Sequence, residues 1–528
     1  MVCYKIARTT LGQMFAMKCV WWNFFINICL MVVFSTLAHG KVYSLKLTKT
    51  KEYSFQEVFM KGQVKLKRQR DNMRGNPGNG YSIDIEVGTP GQKLNVLVDT
   101  GSSNFAIASA PNPLISTFYK FNESSTYVPS NKEIKIEYTE GKWNGVLGKD
   151  VINLPTGPEE SFTAHIASIL ESENFFINGS YWQGILGLGY KEIARPDSSV
   201  EPFFDSLVRQ TNIDDIFAIQ LCGIEDVKNA TRLVTSGSLT MGGIDTSLIP
   251  DPGKIYYTPL RKKWFYEVVI TNMKVDNESL GLDCKEYNND KTIVDSGTTS
   301  LRLPEKVLTE VVKEIKAKAD PEFLKEDQIP EDFWTREFIL CRENQGSQEI
   351  WNYFPSLTIS LQGMSAGEEF ELLIPPRQYL RLVESGDTGG KCYKFGMAPS
   401  VSGTVLGVTV MEGFYVVFDR ENGQIGFAAS TCAKSQCLDG EPCNEKAPAI
   451  TGVLHTDATD CAFTRYSNSS DAMAIVGYIM LAICILCFTP LILMYLHLKW
   501  RQYCMNSNKY RHMNDESISG SIENEEME

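Results

Sequence analysis

The chain has 528 residues, 43% hydrophobic and 22% charged, with 51 basic against 64 acidic side chains and a formal charge of −13. This balance excludes a disordered, collagenous or multi-span membrane protein and fits globular material in more than one domain. Of five histidines, His39, His497 and His512 fall in the terminal segments, which leaves His165 and His455. A histidine-rich zinc site is therefore excluded, and a Ser-His or Cys-His hydrolase would have to use one of those two.

In chain order, residues 1–40 read as a signal peptide. Lys5, Arg8 and Lys18 precede an apolar run from Val20 to Leu37, and Ala38-His39-Gly40 puts small residues at the −3 and −1 positions of a cleavage site. Residues 41–70 follow with nine basic and two acidic residues and close on Lys67-Arg68-Gln69-Arg70. They read as a prosegment, cut by a basic-site convertase after Arg70 or Arg74. Residues 71–471 carry a net charge of −21, which argues against nucleic acid as a partner. The basic segment is complementary to them.

The central stretch contains an internal echo. Val96-Leu97-Val98-Asp99-Thr100-Gly101-Ser102-Ser103 recurs 196 residues later as Thr292-Ile293-Val294-Asp295-Ser296-Gly297-Thr298-Thr299. Each copy is an apolar, strand-like run that ends in Asp, a hydroxyl residue, Gly and two more hydroxyl residues. The glycine permits a tight turn and close backbone approach. The hydroxyls can hydrogen-bond the carboxylates and hold them. A second echo follows each first one in the same order: Gly184-Ile185-Leu186-Gly187, then Thr404-Val405-Leu406-Gly407. Two matching pairs in one order point to a duplicated domain, with lobes over 71–246 and 247–471, the second including a stalk. Two aspartates on equivalent turns suggest one site on a pseudo-two-fold axis. There like charges share a proton and the carboxyls act as base and acid on water and a peptide bond, without metal or cofactor.

From Ala472 to Leu498 the chain has no charged residue, and 27 residues at about 1.5 Å each can cross a bilayer. Lys499, Arg501, Lys509 and Arg511 follow on one side, so residues 499–528 read as a cytoplasmic tail. The expected topology is single-pass type I, in the Golgi, an endosome or the cell surface. Outside the membrane lie Cys222, Cys284, Cys341, Cys392, Cys432, Cys437, Cys443 and Cys461, an even number in a secreted region. They predict four disulfides, among about 105 possible connectivities. Sequons at Asn122, Asn178, Asn229, Asn277 and Asn468 fit the same compartment.

On these motifs the sequence resembles the pepsin-like aspartic proteases over residues 75–432. Asp99-Thr100-Gly101-Ser102 and Asp295-Ser296-Gly297-Thr298 match that family's catalytic pair, with Gly101, Ser102, Gly297 and Thr298 supporting it. The resemblance implies a mostly β, bilobal fold. It makes Ile136–Trp143 a flap in which Tyr138 closes over substrate and Trp143 supports it. Runs such as Phe175-Phe176-Ile177-Asn178-Gly179-Ser180 and Met411-Glu412-Gly413-Phe414 are similar to the membrane-anchored beta-secretase branch. That branch implies a substrate pocket lined by Leu97, Tyr138, Phe175, Ile177 and Trp182, with Thr299 also on substrate. Arg302 would favour an acidic or amide side chain through forked hydrogen bonds. Ser300 departs from the asparagine expected two residues before it. The resemblance also implies the pairs Cys222–Cys432, Cys284–Cys461 and Cys341–Cys392, which leaves Cys437 and Cys443 for a small extra loop. In zymogens of this superfamily a basic prosegment shields the carboxylates. The expected activity is endoproteolysis of membrane-protein ectodomains or lumenal peptides at acidic pH. The rival from another class is a catalytically silent, glycosylated membrane receptor on the same fold.

Overall fold

The computed structural model describes residues 42–49, 59–60, 63–64, 80–138, 141–176, 182–223, 237–321, 329–342, 350–383, 391–432, 448–463 and 468–519. Ile177, Asn178, Asn229, Cys437, Cys443, Arg70 and Arg74 lie outside the described residues. The chain divides into two units, residues 1–463 and 464–528.

The first unit is mostly β. A thirteen-stranded sheet carries the N-terminal lobe and runs on into the junction between lobes, while a five-stranded and a six-stranded sheet build most of the C-terminal lobe. The strands read as buried on both faces: Phe105–Ala108, Gly184–Gly187 and Phe414–Asp419 have every residue buried. Such continuous apolar runs suit sheet interiors. The boundary at 246/247 is crossed by the junction itself. Ile216–Leu221 pairs antiparallel with Phe414–Asp419 on one side and with Gly237–Met241 on the other.

The basic segment before Arg70 takes a place in that junction. Tyr43–Lys49 is a strand, antiparallel to Gly237–Met241 through Tyr43–Leu47 and to Tyr81–Val87 through Thr48 and Lys49. Its alternation puts Leu45 and Leu47 in the core at 2% and 0% exposure, and Ser44 and Lys46 on the other face. Two of the segment's basic residues, Lys46 and Lys49, thus lie on a strand held by apolar burial and a backbone ladder.

Each lobe repeats one local design. In the first, Gln92–Asp99 runs parallel to Gly184–Gly187, with Asp99 opposite Gly187. In the second, Thr292–Val294 runs parallel to Thr404–Leu406, and the Asp295 amide donates to the Leu406 carbonyl at 3.1 Å. The two sequence echoes of each lobe are therefore neighbours in space, and each aspartate ends an interior strand. Gly187 and Gly407 close the approach: a Cβ on Gly407 would meet the Thr298 and Ser300 carbonyls at 2.4 Å.

The structure joins Cys222 to Cys432, Cys284 to Cys461 and Cys341 to Cys392. The first closes a separation of 210 residues and bolts the end of Ile216–Leu221 to the C-terminal lobe. Asn122 and Asn277 are exposed, as glycosylation requires. In the second unit, Asn468–Ser519 forms one helix, within which Val476–Tyr503 is long and apolar enough to cross a membrane.

Candidate active site

Asp99 and Asp295 converge at the junction of the lobes, both buried, at 7% and 8% exposure. Their surroundings are near copies. Asp99 Oδ1 accepts from the Gly101 amide at 2.8 Å and Oδ2 from Ser102 Oγ at 2.5 Å. Asp295 Oδ1 accepts from the Gly297 amide at 2.8 Å and Oδ2 from Thr298 Oγ1 at 2.7 Å. The two carboxyls converge on one spot: a Cβ on Gly297 would lie 2.2 Å from Asp99 Oδ1 and 3.2 Å from Asp295 Oδ1. Burial, then the Asp295 charge, pushes the Asp99 carboxyl up to about 7, against the pull of Ser102 and Gly101. Two carboxylates this close hold one proton between them over a range where free carboxylates hold none.

The glycines of the two turns have a specific reason to be glycines. A Cβ on Gly101 would sit 2.6 Å from the Asp295 carboxyl, and one on Gly297 would sit 2.2 Å from Asp99 Oδ1. Each turn therefore leaves room for the other lobe's acid.

The hydroxyls next to the aspartates do something other than hold carboxylates. The Ser296 amide donates to Thr100 Oγ1 at 3.0 Å, and the Thr100 amide donates to Ser296 Oγ at 3.1 Å. Thr100 Oγ1 then donates to the Val294 carbonyl and Ser296 Oγ to the Val98 carbonyl, at 2.9 and 2.8 Å. The two loops thus clasp each other in a fully buried, reciprocal set of four bonds. Sequence reading assigned all these hydroxyls to the carboxylates. The pairing of Thr100 with Ser296 is visible only once the lobes face each other. Ser103 likewise turns away, donating to the Tyr190 carbonyl at 2.5 Å.

Above the pair, Val128–Glu137 and Lys142–Asn153 form a hairpin, whose Tyr138 amide donates to the Gly141 carbonyl at 3.0 Å. Tyr138 is half-buried and stacks on Phe175 with ring centres 5.8 Å apart. Trp143 and Trp182 pack against the same Phe175 ring at 6.4 and 5.5 Å. Leu97, Trp143, Phe175 and Trp182 share one buried apolar cluster, against which Tyr138 packs. Burial, then the Asp99 charge, raises the Tyr138 phenol far above its ordinary value. Tyr138 is thereby a neutral hydroxyl within the field of the dyad. Arg302 is half-buried on Leu301–Pro304, opposite Ala398 and Val405. Thr299 is buried, and its carbonyl accepts from Thr409.

This constellation of two acids, a reciprocal clasp and an aromatic hairpin agrees with the sequence comparisons. Residues 80–430 match the family model for eukaryotic aspartyl proteases. A beta-secretase of Strongylocentrotus purpuratus is 46% identical over 485 residues, which cover 88% of this chain and 89% of the relative. Pepsin A of Canis lupus familiaris is 26% identical over 357 residues, covering 66% and 80% of the two chains, and pepsin A of Callithrix jacchus is 27% identical over 362. The chain belongs to the eukaryotic aspartyl protease family. Within it the chain is an aspartic endopeptidase similar to beta-secretase, acting on peptides and carrying one apolar helix that can anchor it in a membrane.

Proposed function

We propose that the chain is a type I membrane aspartic endopeptidase that cuts membrane-protein ectodomains or lumenal peptides at acidic pH. The observation that carries this reading is the convergence of Asp99 and Asp295, both buried, with matching amide and hydroxyl donors on each. In the reaction, the ionised member of the dyad takes a proton from water as the water oxygen attacks the peptide carbon. The protonated member gives its proton to the carbonyl oxygen, and a tetrahedral diol forms. On collapse a diol proton returns to the dyad, the amine nitrogen takes a proton, and the C–N bond breaks. The dyad is left with one proton, as at the start. Tyr138 closing over the cleft excludes water and holds the substrate. Leu97, Phe175 and Trp182 form the apolar pocket, to which the resemblance adds Ile177, and Arg302 presents a fork to an acidic or amide side chain. The acidic ectodomain lies outside the cytosol, beyond the span at 472–498, and cleavage after Arg70 or Arg74 by a convertase releases the basic segment's restraint.

The test uses the full chain in detergent with a mixed peptide library near pH ~4.5. Asp99→Asn and Asp295→Asn should each lower turnover by at least ~10²-fold, the lower end of what general acid–base catalysis contributes. Activity surviving either substitution would defeat the dyad mechanism. A wild-type chain that binds peptides and cuts none would favour the silent receptor.

A further inference from the structure

Behind Thr299 lies a buried polar cluster that neither the dyad nor the lid uses. Its centre is Glu412, which follows the short helix Val408–Met411. One carboxylate oxygen, Oε1, accepts from the Tyr81 hydroxyl at 2.7 Å. Arg381 donates Nη2 to Oε1 and Nη1 to Oε2, both at 3.2 Å. Both members of this ion pair are 8% exposed. A buried charge of this kind costs desolvation energy unless it is fully paired, and it is retained where it fixes a geometry. The Glu412 main chain is occupied as well. Its amide donates to the Val408 carbonyl at 2.9 Å, and its carbonyl accepts from the Gln378 side chain.

The cluster reaches both walls of the cleft. On the N-terminal side Tyr81 also accepts from the Gly223 amide at 3.0 Å, and burial keeps its phenol protonated. Its neighbour Gly80 packs so closely on Leu97 that a Cβ there would meet Leu97 Cδ2 at 2.3 Å. On the C-terminal side Arg381 Nη1 donates to Thr409 Oγ1 at 3.4 Å. That leaves the Thr409 hydroxyl proton for the Thr299 carbonyl, which it meets at 3.0 Å while the Thr409 amide donates to the same oxygen at 2.8 Å. Thr299 directly follows Thr298, the hydroxyl that holds Asp295.

We propose that Thr409, oriented by the Tyr81–Glu412–Arg381 cluster, is a positioning residue that sets the Thr299 segment of the substrate cleft and couples it to the Gly80–Leu97 wall. The inference rests on the two-aspartate reading above and on Thr299 meeting substrate. The cluster touches no reacting atom. It acts through the placement of Thr299, where a small displacement is expressed as weaker holding of an extended peptide.

The experiment measures KM, kcat and melting temperature of the full chain with a long and a short peptide cut at the same bond. Thr409→Val removes the hydroxyl at nearly constant volume and should raise KM for the long peptide about fivefold, the worth of one hydrogen bond. Turnover of the short peptide and the pH profile should stay as in wild type. Thr409→Ser restores the hydroxyl and should restore KM. Tyr81→Phe should shift KM in the same direction, and its combination with Thr409→Val should fall short of the product of the two effects, as expected for residues in one network. An unchanged KM in Thr409→Val, or a Thr409→Ser that behaves like Thr409→Val, overturns the proposal. If Thr409→Val does not fold, Tyr81→Phe alone decides by the same KM criterion. A wild-type chain with no activity, or an active Asp295→Asn, sinks the protease reading instead, so the two failures are separable.

Discussion

At the scale of single residues, the dyad depends on groups that sequence displays side by side and on groups it keeps apart. Ser102 is one of the donors that lower the Asp99 pKa, against burial and the Asp295 charge that raise it to about 7. The shared proton is lost as pH rises through that value, so activity falls toward the alkaline side. Ser102→Ala removes a donor to the ionised form, which raises the Asp99 pKa further. The alkaline limb of kcat/KM against pH should therefore move to higher pH, and a shift in the opposite direction would contradict the assignment. Gly297→Ala brings a methyl group against Asp99 Oδ1, 2.2 Å from where it would be built. Because the clash involves a buried carboxylate in a clasped loop, kcat should fall by about 10²-fold, the effect of roughly 1 Å of misplacement, while the chain still folds. Single-turnover rates and circular dichroism check this pair of outcomes.

At the scale of elements, the strand Tyr43–Lys49 shows where a reading from composition stops. Nine basic residues in 41–70 draw attention to charge, yet Tyr-Ser-Leu-Lys-Leu-Thr-Lys also alternates with period two, the signature of a half-buried strand. What the sequence does not carry is the partner. Gly237–Met241 and Tyr81–Val87 are remote or separated by a long connection, and nothing local says that this strand lies between them. The aspartate turns were legible because each is a short contiguous motif and because the chain repeats it. The hairpin's aromatic contact was out of reach of local patterns, since the packing of Tyr138 on Phe175 joins residues from two segments. Leu47 is fully buried in this strand. Leu47→Ala should lower the stability of the uncut chain by about 2–5 kcal/mol, the usual cost of such a truncation in a core, measured by urea denaturation. A loss under ~0.5 kcal/mol, the range of neutral surface changes, would mean that the strand contributes little to holding the junction.

At the scale of the molecule, the two lobes are fastened by interactions between residues hundreds of positions apart. Thr100 with Ser296, Tyr81 with Glu412, and Cys222 with Cys432 all cross the duplication. Arg420 adds a fourth fastening. It is 3% exposed, donates to Asp205 Oδ2 at 2.7 Å, lies 3.4 Å from Asp215 Oδ1, and stacks over the Tyr190 ring at 4.7 Å. Asp205 lies on the helix Phe203–Thr211 of the N-terminal lobe, whereas Arg420 follows Phe414–Asp419. Removing the guanidinium would leave two acids around a buried space. Asp205 and Asp215 keep 28% and 36% of their side chains exposed, so Arg420→Ala should cost about 1.5–3 kcal/mol, as for hydrogen bonds to charged groups, seen as a lower melting temperature at low and high salt alike. Loss of the effect in high salt would mark the pair as a surface one. Of these fastenings only Cys222–Cys432 is implied by the resemblance, and the structure joins that pair. Each of the others is an ordinary Thr, Tyr or Arg whose meaning comes from a partner that only the assembled junction supplies.

The clasped strand at the front of the chain also bears on what a cut would accomplish. Tyr43–Lys49 is paired along its length, through Tyr43–Leu47 with Gly237–Met241 and through Thr48 and Lys49 with Ser82 and Tyr81. Severing the backbone anywhere between Lys49 and Gly80 divides the polypeptide without opening that ladder. The product is a two-chain particle that migrates as one species on a native column and as two on a denaturing gel. Its N-terminal fragment departs at the rate at which seven strand residues unzip. If such a cut activates the chain, activation should keep pace with that off-rate, and a peptide that copies Val42–Lys49 should leave the off-rate unchanged while occupying the vacated edge.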